Sequence, residues 1–225
     1  MSSRQNNRNA NATGFGDDAR VTSFFSISAI LTVILVCVWV LAPPADIGVA
    51  EGQLAPNIVS EAYSGGTWSD FELYDNIDMT WSEGDEGDWI FLLFIDTDCP
   101  HCYEAGDEHS NYYNQFGSDV KFFTIATELS IPGHSGSKTE IVDFRDQNSN
   151  SGCKSDKANC EDRPGTPHDW PYIDDLDRDI ADNYDLPGTP FYLLLSPDGI
   201  VAWNSGQNQG EDPGAAIQRI MGASA

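Results

Sequence analysis

Positive charge is scarce in this sequence. Its 225 residues include 11 Lys and Arg against 36 Asp and Glu, which gives a formal net charge of −25. Nucleic acids present phosphate groups and require a basic surface, so this composition excludes nucleic-acid binding. The same deficit excludes broad adhesion to anionic lipid headgroups.

Cysteine is scarce as well. Five cysteines are too few for a disulfide scaffold of this length, but they are enough for one or two defined pairs. Because 40% of the residues are hydrophobic and 11% are aromatic, the chain is not an acidic disordered tail. Its length suits one folded domain with additional segments.

Charge is absent altogether between Arg20 and Asp46. The 22 residues at 21–42 are apolar apart from Ser and Thr, and a helix of that length spans the roughly 30 Å hydrocarbon core of a bilayer. We therefore predict a transmembrane helix over 21–42. The alternative is a signal peptide cleaved after Ala42 or Ala50, although its apolar region is usually only about 7–15 residues long.

The arginines that count for membrane orientation all lie in the first 20 residues, ahead of this run. We therefore expect residues 1–20 to be a disordered cytoplasmic tail and everything after the helix to be exported. On this interpretation, residues 43–56 form a linker and residues 57–225 form an extracytoplasmic domain. The protein would lie in the cell membrane as a single-pass protein with its N-terminus in the cytoplasm.

Strand and helix signals alternate along the exported domain, which predicts an α/β fold with a mixed sheet. The predicted strands are 68–74, 89–95, 119–127, 191–195 and 200–203. The predicted helices are 99–116, 137–147, 171–184 and 212–222. Pro-Asp-Gly at 197–199 predicts a hairpin turn. A polar insertion occupies about 148–169.

The motif Cys99-Pro100-His101-Cys102 directly follows a predicted buried strand and opens a predicted helix. A thiolate is the attacking species in disulfide exchange, and a helix N-terminus stabilises it through free N–H groups. Two cysteines three positions apart on the first turn can close a disulfide. The first then attacks a substrate, and the second resolves the mixed disulfide.

A second motif, Gly188-Thr189-Pro190, precedes a strand–turn–strand, FYLLLSPDGIVAW. With CPHC and the preceding strand WIFLLFI, it makes the sequence resemble the thioredoxin-like family. The approach to the domain, GQLAPNIV followed by WSDFELYD, resembles the membrane-anchored redoxins typified by TlpA and ResA, and CPHC resembles DsbA. The resemblance covers roughly residues 52–222. It implies a thioredoxin-like α/β sandwich with a central mixed sheet, preceded here by the one predicted transmembrane helix.

The resemblance also implies roles for individual residues. Cys99 would be the nucleophile and Cys102 the resolving thiol, while His101 would tune the thiolate. Pro190 would be a cis-proline that faces the two cysteines and docks substrate, and Thr189 would present its backbone to an extended substrate strand. The predicted activity is thiol–disulfide exchange on cysteines of exported proteins, with a membrane or extracytoplasmic redox partner. Exchange of this kind needs no cofactor and no resident metal.

Two positions depart from the family pattern. Asp98 stands where tryptophan is frequent, and Leu93 stands where thioredoxin has a buried acid, so the usual proton acceptor for Cys102 is missing or replaced. Glu104 is close in sequence and is one candidate for that role. His101 and the helix terminus favour an oxidant, whereas the Thr189–Pro190 pair and the TlpA-like frame favour reduction or isomerisation. The direction of exchange stays open.

Cys153 and Cys160 flank a short segment within the polar insertion, and we predict that they form a structural disulfide; a second redox pair is the alternative. A thiolate and imidazole site for zinc or copper is a competing hypothesis for the whole protein. Its ligands would be Cys99 and Cys102 with His134, His168 or the second cysteine pair. A non-catalytic thioredoxin-fold binding module is another.

Overall fold

The computed structural model describes Phe25, residues 27–33 and residues 45–223. Of the predicted transmembrane segment 21–42, these include eight residues, and they are helical. Thr32 there donates a hydrogen bond to the carbonyl oxygen of Ser28, one turn earlier, at 2.9 Å. Within the described residues, no helix is both long enough and apolar enough to cross a bilayer. The rest of the predicted segment and the predicted tail 1–20 lie outside the described residues.

A seven-stranded mixed sheet is the centre of the unit that begins at Ala45. Its strands are β1 Val59–Ser64, β2 Thr67–Glu72, β3 Trp89–Ile95, β4 Val120–Thr127, β5 Tyr172–Asp175, β6 Phe191–Leu195 and β7 Val201–Asn204. They lie in the order β2-β1-β5-β4-β3-β6-β7. The central strands β3, β4 and β5 are parallel, and the remaining pairings are antiparallel. The predicted mixed sheet is therefore confirmed.

The helices are α1 Pro100–Glu104, α2 Gly106–Phe116, α3 Lys138–Asp146, α4 Asp179–Asn183 and α5 Pro213–Ala223, with a short helical segment at Cys153–Asp156 and 3₁₀ turns at Leu73–Asn76 and Cys160–Asp162. Side-chain caps explain why two of them start where the sequence predicts. The Ser137 hydroxyl accepts the N–H of Glu140 at 3.1 Å, and Asp212 accepts the N–H of Ala215 at 2.9 Å.

The helix predicted over 171–184 is wrong in its first half. Tyr172–Asp175 is strand β5, paired with both β4 and β1, and only Asp179–Asn183 is helical. Tyr172 and Ile173 are both fully buried and enter the hydrophobic clusters on opposite faces of the sheet. The strand has only four residues, YIDD, and Ile173 happens to stand at helical spacing from Leu176 and Ile180 beyond it, so the pattern imitates one longer helix.

The helix predicted over 99–116 is divided at Ala105, a turn residue with φ of −77° and ψ of −1° that ends α1 and precedes α2. Gly106 follows, and the polar insertion packs directly against it. A methyl group on Gly106 would lie only 2.6 Å from the carbonyl oxygen of Pro164. The helix is therefore divided where the insertion requires a close approach.

Strand β1 was not predicted, because its sequence VSEAYS has few apolar residues, and its pairing with β2 and β5 defines it. The segment predicted as a linker is hydrogen-bonded into the folded unit from Asp46 onward. The Asp46 carbonyl accepts the N–H of Leu54 at 2.9 Å, and the Gly199 carbonyl accepts that of Ala55 at 3.0 Å.

Strand β3 separates two buried clusters. Phe91, Leu93 and Ile95 point to the cluster that contains both motif cysteines. Ile90, Leu92 and Phe94 point to the opposite cluster. The apolar run at 89–95 is thus buried on both faces, as its composition predicts.

Candidate active site

Strand β3 delivers the Cys99–Cys102 motif to the end of the sheet. After β3 ends at Ile95, the Cys99 N–H donates a hydrogen bond to the carbonyl oxygen of Asp96 at 3.0 Å and closes a tight turn. Cys99 is the N-cap residue of α1, and Pro100 occupies the first helical position, where no N–H is needed. The local sequence therefore places Cys99 at the open end of the helix and Cys102 one turn further in.

Both motif cysteines are free thiols in the described chain, and their environments differ. Cys99 is 5% exposed, whereas Cys102 is wholly buried. A hydrogen bond from the Cys102 thiol, with further ones from Thr189 and from the N–H groups of Cys102 and His101, lowers the pKa of Cys99 to about 5 even though burial opposes this. Burial raises the pKa of Cys102 well above its usual value. One thiol is therefore a thiolate at neutral pH, and the other keeps its proton.

The two halves of the predicted site lie side by side. The peptide bond between Thr189 and Pro190 is cis. In its thiol form, Cys99 donates a hydrogen bond to the carbonyl oxygen of Thr189 at 3.4 Å. Gly188 has a φ of +153°, which a residue with a side chain rarely adopts, so this turn needs glycine. The fold thus brings together residues that are 90 positions apart in sequence.

His101 has an exposed side chain. Its contribution to the pKa of Cys99 comes through its backbone N–H, which lies at the thiolate. Glu104 is also on the surface, where it forms an ion pair with Lys154. Its side chain is 60% exposed, whereas Cys102 is fully enclosed, so Glu104 does not face Cys102 as a proton acceptor.

Asp96 and Asp98, just before the motif, are buried and organise the surrounding loops. Asp96 accepts the backbone N–H of Leu129 at 3.0 Å and contacts His134 Nδ1 at 2.5 Å. Asp98 accepts the N–H groups of Ser135 at 2.7 Å and Ser155 at 2.6 Å. Backbone donors therefore offset these carboxylate charges close to the thiolate.

The polar insertion covers one side of the motif. Its cysteines, Cys153 and Cys160, form the predicted disulfide, with an S–S distance of 2.00 Å, and both are fully buried. Directly after Cys153, the Lys154 N–H donates to the carbonyl oxygen of Thr97 at 3.0 Å. Tyr103 in α1 donates its hydroxyl to the carbonyl oxygen of Asn159 at 2.8 Å. The insertion is thus part of the wall of the site.

Most of the side chains that the competing metal hypothesis requires as ligands are already bonded to other groups of the protein. Cys153 and Cys160 are bonded to each other, and His168 Nε2 lies 2.9 Å from an Arg163 guanidinium nitrogen, which can only donate. Asp96, Asp98 and His134 offer ligand atoms within 4.8 Å of one another. However, the carboxylate oxygens of this cluster already accept hydrogen bonds from the protein.

Leu93 occupies the position where the resemblance to the thioredoxin-like family predicts a buried acid. In the sheet it pairs with Thr124 of β4 and with Tyr192 of β6, and Thr124 pairs in turn with Tyr172 of β5. A tyrosine therefore stands on each side of Leu93 in the same row. Each tyrosine hydroxyl contacts one buried histidine. Tyr192 contacts His109 Nε2 at 2.9 Å, and Tyr172 contacts His168 Nδ1 at 2.6 Å.

Sequence reasoning missed this row because its members come from four strands, and the two histidines come from two other segments. His109 lies mid-helix in α2, where nothing in its neighbourhood of the sequence marks it as special. The sequence indicated His168 only as a candidate metal ligand. The one available signal was the missing acid at Leu93, which indicated that some other group serves Cys102.

No protein-family model and no curated protein sequence matches this chain. Solved structures do resemble it. An uncharacterised conserved protein from Geobacillus kaustophilus has 16% identity and a TM-score of 0.51, over 78% of this chain and 82% of that one. The thioredoxin domain of a thiol-disulfide oxidoreductase from Bacteroides vulgatus has 15% identity and a TM-score of 0.48, over 79% and 100%. Reduced 2-Cys peroxiredoxin from Plasmodium vivax has 17% identity and a TM-score of 0.48, over 77% and 80%.

The fold is thioredoxin-like. Its marks are the central mixed sheet, the CPHC turn between β3 and α1, and the cis-proline immediately before β6. A likeness at 16% identity shows the fold alone and does not assign chemistry. The function is therefore argued from the site itself.

Proposed function

We propose that this protein is a thiol–disulfide oxidoreductase in which Cys99 is the nucleophile and Cys102 the resolving thiol. The observation that carries the proposal is the divided pair, with a thiolate at Cys99 beside cis-Pro190 and a protonated thiol buried behind it. The Cys99 sulfur attacks a substrate disulfide, and one substrate sulfur leaves as a thiolate. Cys102 then displaces Cys99 from its mixed disulfide, so the substrate is reduced and the pair is oxidised.

The same chemistry runs in reverse when the pair begins as a disulfide. Because the pKa of Cys99 is lowered to about 5, its thiolate is a good leaving group and the reduced pair is stabilised. This favours donation of the disulfide to substrate thiols. We therefore propose that the protein acts as an oxidant of cysteines in exported proteins and is re-oxidised by a membrane or extracytoplasmic partner.

Substrate docks, in this proposal, beside Thr189 and Pro190. The Thr189 carbonyl oxygen lies 3.4 Å from the Cys99 sulfur, so an extended peptide paired with this turn would present its cysteine to Cys99. His101, exposed at the same end of α1, would lie at the rim of the docking site.

We further propose that the domain is tethered to the membrane and faces the extracytoplasmic side. The charge-free run at 21–42 supports this, and so do the exposed apolar side chains of its described helical part, Ile27, Ile30, Leu31 and Val33. The Cys153–Cys160 disulfide also favours an oxidising compartment.

The test is a trapping experiment. A Cys102→Ser variant cannot resolve its mixed disulfides, so it should accumulate covalent adducts with exported proteins that are lost on reduction. The matched control is the Cys99→Ser, Cys102→Ser double variant, which should form none. If the single variant forms no adducts and the wild type neither oxidises nor reduces a model disulfide, the proposal is wrong.

A further inference from the structure

One exposed apolar side chain lies at the end of the sheet that carries Cys99. Among the described residues from Ala45 onward, the exposed large apolar side chains are those of Ile47, Val59, Met79 and Ile131. Single exposed apolar residues are common on protein surfaces, so exposure alone assigns no role to any of them. Their positions in the fold separate Ile131 from the other three.

The other three side chains lie away from the reacting sulfur. Val59 begins β1, which is three strands from β3 in the sheet. Met79 precedes β3, and the N–H of the residue before it donates to the carbonyl oxygen of Pro197, beyond the end of β6, at 2.7 Å. Since β6 is antiparallel to β3, this contact places Met79 at the opposite end of β3 from Cys99. Ile47 belongs to the segment that borders the start of β7, two strands from β3.

Ile131 stands in the segment that follows β4, here called the 129–135 loop. Strands β3 and β4 are parallel neighbours, so both end at the same edge of the sheet. Strand β6 is the neighbour of β3 on its other side, is antiparallel to it, and begins directly after the cis peptide bond between Thr189 and Pro190. Cys99 therefore lies between the cis-proline turn on one side and the 129–135 loop on the other.

Both ends of the 129–135 loop are fixed to the residues just before the motif. Asp96 accepts the N–H of Leu129 at 3.0 Å. Asp98 accepts the N–H of Ser135 at 2.7 Å. Because these two aspartates lie within three residues of Cys99, the loop keeps a constant position relative to the reacting sulfur.

A tight turn holds Ile131 within this loop. The His134 N–H donates to the Ile131 carbonyl oxygen at 3.0 Å, and Pro132 and Gly133 occupy the two central positions. Gly133 has a φ of +89°, which favours glycine at the third position of such a turn. Proline restricts φ at the second position. Ile131 is therefore presented with 49% of its surface exposed before any substrate binds, and a preformed contact costs little ordering entropy.

We propose that Ile131 is a specificity-determining residue that binds an apolar side chain close to the cysteine of a substrate peptide. This inference rests on the proposed function, because a peptide reaches the loop by docking at Cys99. Neighbouring strands are about 4.8 Å apart and an extended residue spans about 3.3 Å, so a peptide that runs from the cis-proline turn past Cys99 meets the 129–135 loop within roughly two to four residues of its cysteine. An apolar side chain there covers the exposed surface of Ile131 and removes it from water.

Negative charge provides the competing basis for selection, since a net charge of −25 would attract lysine or arginine near the substrate cysteine. The carboxylates that hold the loop are engaged by backbone donors. Asp96 and Asp98 are buried, and Glu128 accepts the N–H of Gly136 at 3.3 Å. Exposed charges farther away are screened beyond about 8 Å at physiological salt. Apolar contact with Ile131 is therefore expected to select substrates more strongly than charge does.

The experiment compares peptides that differ in one residue. Reduced full-length protein is mixed with single-cysteine peptides whose cysteine is joined by a disulfide to a chromogenic aromatic thiol. The Cys99 thiolate attacks the peptide sulfur, the Cys99–peptide bond forms, and the aromatic thiolate leaves with the electron pair and is followed by absorbance. The peptides carry Leu, Ser or Lys at each of three positions on either side of the cysteine.

Ile131→Ser is the test variant. Met79→Ser is the matched control, because Met79 is also an exposed apolar side chain, at 56% against 49%, and lies at the other end of β3. Ile131→Leu is the conservative variant. Each peptide rate is divided by the rate with a small symmetrical aromatic disulfide, which reports the reactivity of the Cys99 thiolate without a docked peptide.

We expect the wild type to react about 5- to 10-fold faster with Leu than with Ser at one or two of these positions, the effect of burying roughly half of an isoleucine side chain. Met79→Ser and Ile131→Leu should keep that ratio. Ile131→Ser should lower it to less than about twofold, because the apolar contact is lost. Lys should give no advantage over Ser at the same positions.

Four results would overturn the proposal. The first is no preference for Leu in the wild type. The second is an unchanged preference in Ile131→Ser. The third is an equal loss in Met79→Ser, which would make the effect a general one of surface polarity. The fourth is a preference for Lys over Leu, which would make charge the basis of selection. Failure of the wild type to react with the small aromatic disulfide would instead refute the proposed exchange activity.

Discussion

The molecule contains two cysteine pairs with opposite properties. Cys99 and Cys102 are free thiols on α1, with one pKa lowered and the other raised, while Cys153 and Cys160 are joined and fully enclosed in the insertion. The first pair has a cis-proline beside its outer sulfur. The second has packed side chains on every side. Surroundings, more than spacing, therefore determine which pair is suited to exchange.

The second pair also stabilises an unusual backbone. Lys154, Ser155 and Asp156, between its cysteines, have φ values of 58°, 56° and 58°, three consecutive residues in the left-handed region. Such conformations cost free energy in residues other than glycine. Two hydrogen bonds from Ser155 to Asp98, at 2.6 and 3.2 Å, hold the turn against the residue that precedes Cys99. The disulfide and its turn therefore support the reacting pair.

The largest expected effect comes from the outer cysteine of the reacting pair. Cys99→Ser should reduce disulfide exchange to the uncatalysed level, because no other free thiol with a lowered pKa is present in the described chain. Turnover of a peptide substrate measures this. The control is Cys153→Ser with Cys160→Ser, which should keep most of the activity. Loss of activity in the control with retention in Cys99→Ser would reverse the roles of the two pairs.

The free energy of unfolding should depend more on the insertion disulfide than on the reacting pair, the reverse of the order expected for activity. The Cys153→Ser, Cys160→Ser variant should lose about 2–3 kcal/mol of unfolding free energy, the value expected for a disulfide that closes so short a loop. Urea unfolding of the protein with its reacting pair reduced measures this. Cys102→Ser, under the same conditions, removes a thiol without removing a cross-link and should cost less. Equal losses in both variants would contradict a structural role specific to the insertion disulfide.

The pH dependence of stability should identify the titrating pair. The folded pKa of Cys99, about 5, lies below its unfolded value near 9.0, so reduced protein gains stability as pH rises from 5 towards 9 and loses it as pH falls through 5. Against reduced Cys99→Ser, the melting-temperature difference should therefore widen by roughly 10–20 °C between pH 5 and pH 9. When the Cys99–Cys102 pair of the wild-type protein is oxidised, the melting-temperature difference should not widen with pH, since disulfide-bonded cysteines do not titrate. A constant difference would refute the lowered pKa.

A fourth prediction concerns Glu140, which lies between the two pairs. It bonds to the Thr97 hydroxyl on one side and approaches Gly152 on the other. Burial raises its pKa from 4.5 to about 7, so its stabilising protonated form is lost as pH rises through 7. Glu140→Gln should be more stable than wild type by about 3 kcal/mol at pH 8 and nearly equal to it near pH 4.5. Exposed Glu104→Gln is the control and should show no such gain.

The sequence could predict those features that depend on neighbouring residues. Local signals were sufficient for the long apolar strand at 89–95, the capped helices α3 and α5 and the hairpin at 197–199, because each is determined by neighbours in the chain. The turn containing Pro190 followed from a motif. Residues whose environment comes from distant segments were not predictable. Examples are β5, which is too short to show its period, and His109, whose partner Tyr192 is 83 residues away.

The insertion illustrates the same limit. Its polar composition indicated a surface segment, and its cysteines correctly predicted a disulfide. Nothing in that composition indicated that two of the insertion's own side chains, Arg163 and His168, are buried. Nor did it indicate that Ser155 donates a hydrogen bond to Asp98, next to the motif. Such contacts depend on how the insertion folds back over α1 and α2, and no local pattern encodes that path.

The most direct test of the account is to expose the folded protein to glutathione buffers of graded ratio and identify each cysteine's state by differential alkylation and mass spectrometry. We predict that Cys99 and Cys102 pass together from dithiol to disulfide across the series, at a comparatively oxidising potential. Cys153 and Cys160 should remain joined throughout. If the second pair exchanges as readily as the first, or if Cys99 and Cys102 never pair with each other, the division of roles proposed for the two pairs is wrong.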